Sequence, residues 1–600
     1  MDKPFTKNNL IKVLSFSLGF SSISAQIIYL REFITVFYGN EVTYSFIIAA
    51  WLFWVGAGSF AAGFVTKRIE NPHKTINCLF ISLGIILPFT LFLIRNFKNL
   101  LGVYPGQVLD IITAVLSVSI IITPVTILFG ALFTLLCLLT ERKKDDSASF
   151  FSANQVYLIE SIGSAIGGMF FSLFLIRFVS PSNMILILAH LSFLTAWVFP
   201  KTKTIKAIAG VLMVTAIIGF LSNQKGGIEK WLREKQWKGF NLIEVAESIY
   251  GNIALTESEG KYSLFENGHL SFTAADELTS EENVHYALLQ NPKQERVLLI
   301  GNGFGGNINE ALKYKSAKID YVELDDKIVD VLKRNMPVDK TAFLTDSRLT
   351  VIHEDARFLI KQKKKKYDSL IVSLGDPRTA LINRYFTLEF FKEAKDVLSS
   401  SGVFSVSVSS SENYLGEEAK RFLRSINTTL SEVFCDVKSV PGDTNIFIAS
   451  PKCGNIGLNP EVLIERLKEN NINNKFVNEY YLPFKLSKGR IDYINTVLEE
   501  NGEINTDNRP VAYLYNIVLW STHFNDSFKN IISRVSRINL LYYFLFPVFL
   551  FIIGIYFVKS KKLGRETLVN YSVATTGFCE IIIQVIVILA FQSFYGYAYY

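Results

Sequence analysis

Charged residues almost vanish from long stretches of the first 222 positions. Residues 13–66 carry only Arg31, Glu32 and Glu41 as charges, residues 75–94 carry none, and residues 107–140 only Asp110. Residues 150–176 hold only Glu160, and 178–200 and 207–222 hold no Asp, Glu, Lys or Arg. Each stretch approaches or exceeds the ~20 apolar residues that cross a hydrocarbon core. The pattern predicts about seven spans before residue 223 and ordinary soluble protein over 223–535. Two more apolar runs follow, at 538–558 and about 567–592.

The soluble stretch changes its period twice. Ile249–Glu257, a Glu-Gly turn, Lys261–Glu266, the Asn267-Gly268 turn and His269–Thr273 read as a small β-hairpin unit. Beyond it, strands are expected at 296–301, 318–323, 349–353, 368–373 and 403–409, with helical patterns between them, which argues for a parallel sheet. A late pair, 434–440 and 444–450, is joined by Pro441-Gly442-Asp443, a hairpin turn.

Composition adds little to this division, since 50% hydrophobic residues over 600 positions already exceed what a soluble enzyme carries. The net charge of +7 comes mostly from short basic loops beside spans: Lys67/Arg68, Arg142–Lys144, Lys201/Lys203/Lys206 and Lys559–Arg565. That is a membrane-orientation signature and not a nucleic-acid footprint. The run Lys363–Lys366 reads as a solvated helix end. Cysteines 78, 137, 435, 453 and 579 lack metal or CxxC spacing, so neither a disulfide framework nor a metal site is expected. Seven spans after a basic N-terminus (Lys3, Lys7, Lys12) would place the soluble stretch outside the cytoplasm, unless one span, the short 183–199 segment being the weakest, is re-entrant.

The candidate chemistry lies at 297–310, Val-Leu-Leu-Ile-Gly-Asn-Gly-Phe-Gly-Gly-Asn-Ile-Asn-Glu. An apolar run ends in Gly301, Gly303 and Gly305, and 18 residues after Gly305 a second run ends at Glu323. Glycines let backbone approach a ligand closely, and a carboxylate on the next strand tip can hold a ribose diol. Asp355, after the third strand, can accept an adenine amine, and Asp376 closes the fourth in Tyr-Asp-Ser-Leu-Ile-Val-Ser-Leu-Gly-Asp-Pro. Each acid alone could simply cap a following helix. Four consecutive strand tips argue for a nucleoside cleft, because ligands of such sheets lie outside the carboxyl ends of the strands. The glycine spacing alone also fits a dinucleotide site, but a sheet ending in an antiparallel hairpin is the layout of S-adenosylmethionine-dependent transferases.

Two further features concern the membrane part. Gly19-Phe20, Gln26 and Phe37-Tyr38-Gly39 recur as Gly577-Phe578, Gln584 and Phe594-Tyr595-Gly596, which reads as a duplication. The chain stops within the second copy, so a fragment or lost partner helices are expected. Arg31 and Glu32 read as interfacial side chains that snorkel, although intramembrane polar groups such as Gln26 also allow a transporter or sensor whose soluble domain only binds a ligand.

The chain resembles the spermidine synthase (polyamine aminopropyltransferase) family, in its membrane-fused bacterial branch. The resemblance rests on the hairpin unit and sheet, on Arg384-Tyr385-Phe386-Thr387-Leu388-Glu389-Phe390-Phe391, and on Gln26…Leu30-Arg31-Glu32-Phe33…Phe37-Tyr38-Gly39-Asn40-Glu41. It also rests on Ile504-Asn505-Thr506-Asp507…Arg509-Pro510-Val511-Ala512-Tyr513. Three departures stand out. Phe304 takes the place of the Asp in the family's Gly-Gly-Gly-Asp-Gly-Gly loop, Ser373 that of the first Asp of Asp-x-x-Asp-Pro, and Tyr250-Gly251 that of a Tyr-Gln pair. His285 is similar to the His of the family's Tyr-His.

The resemblance implies a multi-pass α-helical membrane region plus an α/β Rossmann-like S-adenosylmethionine-dependent transferase domain with a small N-terminal β-hairpin unit. Its divisions are 1–222 (membrane), 223–290 (linker and hairpins), 291–452 (Rossmann-like), 453–535 (extension) and 536–600 (membrane helices, partial repeat). It implies aminopropyl transfer from decarboxylated S-adenosylmethionine to an amine such as putrescine, without metal. Catalytic roles fall to Asp376 and His285, and cofactor binding to Gly301, Gly303, Gly305, Glu323 and Asp355. Loss of acids at 304 and 373 opens a second expectation, S-adenosylmethionine itself with a less cationic or lipid-borne acceptor. The expected setting is the bacterial inner membrane, with a cytoplasmic soluble domain despite the charge bias, the bilayer and a homodimer as partners, and no nucleic acid.

Overall fold

The computed structural model describes residues 7–37, 41–107, 109–141, 153–199, 202–291, 294–362, 364–412, 414–522 and 540–559, with scattered positions between 572 and 587. Tyr38–Asn40 and Phe594–Gly596, landmarks of the expected repeat, lie outside these residues. The chain divides into two compact units. One takes in Met1–Ser258 and Phe265–Leu270, the other Glu259–Leu264 and Ser271 onward.

Among the described residues, seven helices in the first unit are long and apolar enough to cross a membrane: Asn9–Phe37, Thr43–Val65, Pro72–Leu100, Ile111–Thr140, Ala153–Leu175, Pro181–Val198 and Lys203–Ser222. Small residues let them pack backbone to backbone, as is common where lipid removes any hydrophobic incentive to associate. A Cβ on Gly58 would fall 2.6 Å from Ile127 Cα, and one on Gly130 would fall 2.7 Å from Ser59 N. Gly163 likewise abuts Phe16 Cα (3.1 Å), and Gly84 abuts the Phe193 ring (2.5 Å). Trp54 Nε1 donates to Ser119 Oγ at 2.8 Å, adding a polar bond to the Gly58–Gly130 pair of helices.

Arg31 and Glu32 do not snorkel. Both are buried within a network of ion pairs. Arg31 pairs with Glu247 (2.8 Å), and Arg95 pairs with Glu32 (2.7 Å) and Glu229 (2.9 Å). Arg233 joins Glu32 (3.2 Å), Glu229 (2.9 Å) and Glu247 (2.7 Å). The physical reason is that carboxylates and guanidiniums from four segments converge, so each charge finds a partner without reaching bulk water. Although burial opposes it, Arg95 and Arg233 hold the Glu229 carboxyl below its ordinary range.

The hairpin unit gains a strand that the alternation pattern did not reveal. β1 (Asn241–Glu247), β2 (Asn252–Ser258), β3 (Lys261–Glu266) and β4 (His269–Thr273) form one sheet in that order. β1 escaped because the register shifts between Leu242 and Glu244, which breaks the alternation of faces.

The second unit holds a seven-stranded sheet. Its strands are β5 (Arg296–Ile300), β6 (Lys318–Val322), β7 (Leu349–Ile352), β8 (Tyr367–Val372), β9 (Leu398–Ser409), β10 (Asp436–Val440) and β11 (Thr444–Ser450). Their order is β10-β11-β9-β8-β5-β6-β7. Pairs from β9 through β7 are parallel, and β11 runs antiparallel to both neighbours. This is the Rossmann-like transferase fold, with its topological switch between β5 and β8. One core face is unusually aromatic, with Phe390, Phe391, Phe404 and Phe434 in mutual ring contact.

Cys435 and Cys453 form a disulfide with Cα atoms 4.9 Å apart. The expectation of no disulfide is corrected here: β10 and the segment after β11 are brought together only by the antiparallel fold, which 18 residues of spacing do not announce. A helix at Leu540–Lys559 matches the first late apolar run, while the second, 567–592, lies mostly outside the described residues.

Candidate active site at the carboxyl edge of the sheet

Gly301, Glu323, Asp355 and Asp376 follow β5, β6, β7 and β8, four strands adjacent in the sheet, so they share its carboxyl edge. Gly301 has φ +77°, and a Cβ there would stand 2.8 Å from Ser373 O. Only glycine allows the loops after β5 and β8 to touch in this way. Gly303 is held equally closely, with a Cβ 2.5 Å from the Tyr321 ring, and the Asn302 side chain folds onto Gly305.

The acids are held differently. Glu323 accepts the Tyr321 hydroxyl at 2.6 Å and is half-buried. The cap of the following helix (Asp326–Asn335) is Asp325, which accepts from Lys327 N at 3.0 Å and so relieves Glu323 of that duty. Asp355 does cap its helix, accepting from Phe358 N at 2.9 Å, and is also paired with Arg384, 2.9 Å away. Asp376 is buried and accepts from Ser409 N at 2.7 Å on β9, while the next helix takes its cap from Thr379.

His285 lies elsewhere in the network. It is buried on the helix Glu277–Leu288, with Nδ1 bonded to Tyr314 Oη and Nε2 to Glu310 Oε2, each at 2.9 Å. Burial lowers its pKa, against the pull of Glu310. Neither ring nitrogen is open to a substrate in this arrangement. Beside it, Glu281 accepts from the backbone N–H groups of Lys475, Phe476 and Val477 at 2.7–2.9 Å. Glu282 pairs with buried Lys485 at 2.8 Å.

Phe304 and Ser373, which depart from the family pattern, are both held within the fold. Phe304 is buried edge-on against Tyr321 and Phe343, with centroids 6.2 and 5.4 Å away. It therefore packs against the same tyrosine that supports Glu323. Ser373 Oγ accepts from Asn307 Nδ2 at 3.1 Å. Sequence reasoning missed Arg378 and Arg384. Arg378 follows Asp376-Pro377, its Nε is buried without a hydrogen-bond partner among the described residues, and its Nη2 lies 3.1 Å from where a Gly375 Cβ would stand. Burial lowers its pKa while Asp376 opposes that. A basic residue directly after the Asp-Pro was the available signal.

The Ile504–Tyr513 segment braces this edge. Asn505 Nδ2 bonds Asn383 Oδ1 (3.0 Å) and Phe386 O (2.9 Å), and Asp507 pairs with Arg357 at 2.7 Å.

Residues 277–454 match the Spermine/spermidine synthase domain. Polyamine aminopropyltransferase 2 of Aquifex aeolicus is 28% identical over 401 residues, covering 66% of this chain and 78% of that protein. Polyamine aminopropyltransferase 1 of Streptomyces coelicolor is 25% identical over 61% of this chain and 69% of its own. The crystal structure of spermidine synthase from Thermotoga maritima aligns with 19% identity over 43% of this chain and 87% of that one, at a TM-score of 0.36.

Proposed function

We propose that this chain is a membrane-anchored aminopropyltransferase that uses decarboxylated S-adenosylmethionine. The observation that carries the reading is the placement of Glu323 and Asp355 on adjacent strand tips beside the Gly301 loop, in a segment matching the Spermine/spermidine synthase domain. Glu323 would hold the ribose diol and Asp355 the adenine amine. The sulfonium supplies an activated methylene carbon. An amine lone pair attacks it, the carbon–sulfur bond breaks, methylthioadenosine leaves as a neutral thioether, and the new ammonium sheds a proton. Asp376 would orient the amine. His285, bonded on both nitrogens, would position the helix that lies against the glycine loop.

A different acceptor is favoured by the charge at the acceptor end. A diamine such as putrescine brings a second ammonium that acids must balance, and a primary amine of pKa ~10 must be deprotonated. Here Ser373 and Phe304 supply no acid, and the Arg378 guanidinium sits beside Asp376. An amine whose far end is neutral or anionic suits this balance better than putrescine.

The test is turnover by the detergent-purified full chain. Decarboxylated S-adenosylmethionine is supplied with putrescine, monoamines and amino acids, and methylthioadenosine is measured. Release with an uncharged-tail or acidic-tail amine supports the reading. If S-adenosylmethionine itself binds more tightly than the decarboxylated form, aminopropyl transfer is excluded.

A further inference from the structure

We infer that the domain beginning at residue 223 stands on the oxidising, non-cytoplasmic face of the membrane. The inference rests on reading the seven apolar helices as spans, and it does not depend on what the cleft binds.

The first observation is the ion-pair network. Arg31 and Glu32 lie near the carboxyl end of Asn9–Phe37, and Arg95 near that of Pro72–Leu100. Their partners Glu229 and Arg233 sit on the helix Gly227–Gln236, directly after the last span. Two odd-numbered spans and the exit of the seventh therefore end at one level. The second span-to-span contact agrees. Asn77 Nδ2, at the start of the third span, donates to Phe199 O at the end of the sixth, at 3.1 Å. An even number of crossings therefore separates Arg95 from Glu229, so a single re-entrant helix among the last four is excluded.

The second observation is charge. In the sequence, the connections between the second and third, fourth and fifth, and sixth and seventh spans hold Lys67 and Arg68, then Arg142, Lys143 and Lys144, then Lys201, with Lys203 and Lys206 opening the next span. The network level has no Lys or Arg in 38–42 or 101–110 and only Arg177 in 176–180, with Lys98 closing the third span and Lys225, Lys230, Lys235 and Lys238 following the seventh. Its buried arginines are matched by carboxylates. Basic loops face the cytoplasm, so the network level, and by chain connection the soluble stretch that begins after Ser222, faces away.

The third observation is independent of both. Cys435 and Cys453, in the later domain, are joined, whereas Cys78, Cys137 and Cys579 form no disulfide among the described residues. Disulfides persist in oxidising compartments and are rare in the cytosol. A cleft on that face draws its donor and acceptor from outside, so a transport step across the membrane must supply any nucleoside made within.

The test uses the full chain in intact bacterial cells, with Cys78, Cys137 and Cys579 changed to Ala and single reporters at two exposed positions, Glu499→Cys and Lys203→Cys. A membrane-impermeant maleimide should label Glu499→Cys at least tenfold more than Lys203→Cys, which should react only after permeabilisation. In parallel, acid-quenched cells should show Cys435 and Cys453 alkylated only after reduction. Protection of Glu499→Cys in intact cells overturns the inference, as does alkylation of both native cysteines without reductant. Neither outcome bears on nucleoside binding, which the purified protein tests separately.

Discussion

Arg384 holds Asp355, the acid at the tip of β7, in an ion pair of 2.9 Å, while the same carboxylate caps the helix behind it. On the proposed reading, Asp355 would therefore meet the adenine already oriented. Asp355→Ala is expected to weaken adenosine-nucleoside binding at least tenfold, since a hydrogen bond to a charged group contributes ~1.5–3 kcal/mol. Arg384→Ala frees the acid and should bind at least as tightly, with a lower melting temperature. Calorimetric titration with methylthioadenosine checks both, and equal affinities across the three proteins would place the adenine elsewhere.

Ser373→Asp restores an acid beside Asn307, whose amide already donates to position 373. General-base help is typically worth ~10²–10⁴ in rate. Turnover with putrescine should rise within that range, read as kcat with decarboxylated S-adenosylmethionine saturating. A flat response would mean that deprotonation does not limit the proposed transfer.

Arg378→Met removes the cation next to Asp376. Removing one like charge near a site of intermediate dielectric shifts binding by a few kcal/mol at most, and solvent reduces that further. KM for a diamine should fall about tenfold, while KM for an acidic amine should rise. If both move in the same direction, Arg378 acts on folding and not on acceptor choice.

Burial depresses the His285 pKa, opposed by Glu310. The unfolded chain thus binds a proton that the native chain refuses, so stability present above about pH 6.5 declines as the pH falls below it. Melting temperatures between pH 7.5 and 5.5 should drop more steeply for the parent than for His285→Asn. Identical slopes would contradict this sign.

Arg95→Ala would leave Glu32 buried without its bidentate partner. Breaking a buried pair on one side typically costs ~3–5 kcal/mol. The double change Arg95→Ala with Glu32→Gln should recover a good part of it. Detergent-solubilised melting curves decide, and a double mutant worse than the single would show that the two residues are not coupled.

Most of the sheet could be read in advance because buried parallel strands announce themselves as apolar runs. The expected 318–323 and 444–450 fall within a residue of β6 and β11. The places of Gly301 and Glu323 at strand tips were legible for the same reason, since each directly follows an apolar run. What escaped were relations between distant segments. Nothing local to Arg31 indicates Glu247, and nothing near Asp355 indicates Arg384. The Cys435–Cys453 pairing and the bulged β1 were hidden likewise, because each depends on how the chain returns upon itself.

The glycine contacts at Gly58, Gly130, Gly163 and Gly84 join six of the seven long helices into three couples, two held main chain to main chain and the third by the Phe193 ring seated on Gly84, too close for either member to slide or turn alone. Any rearrangement of this bundle would have to rock whole couples against one another. A single bulky replacement at Gly130 should then misplace a partner helix as well as its own.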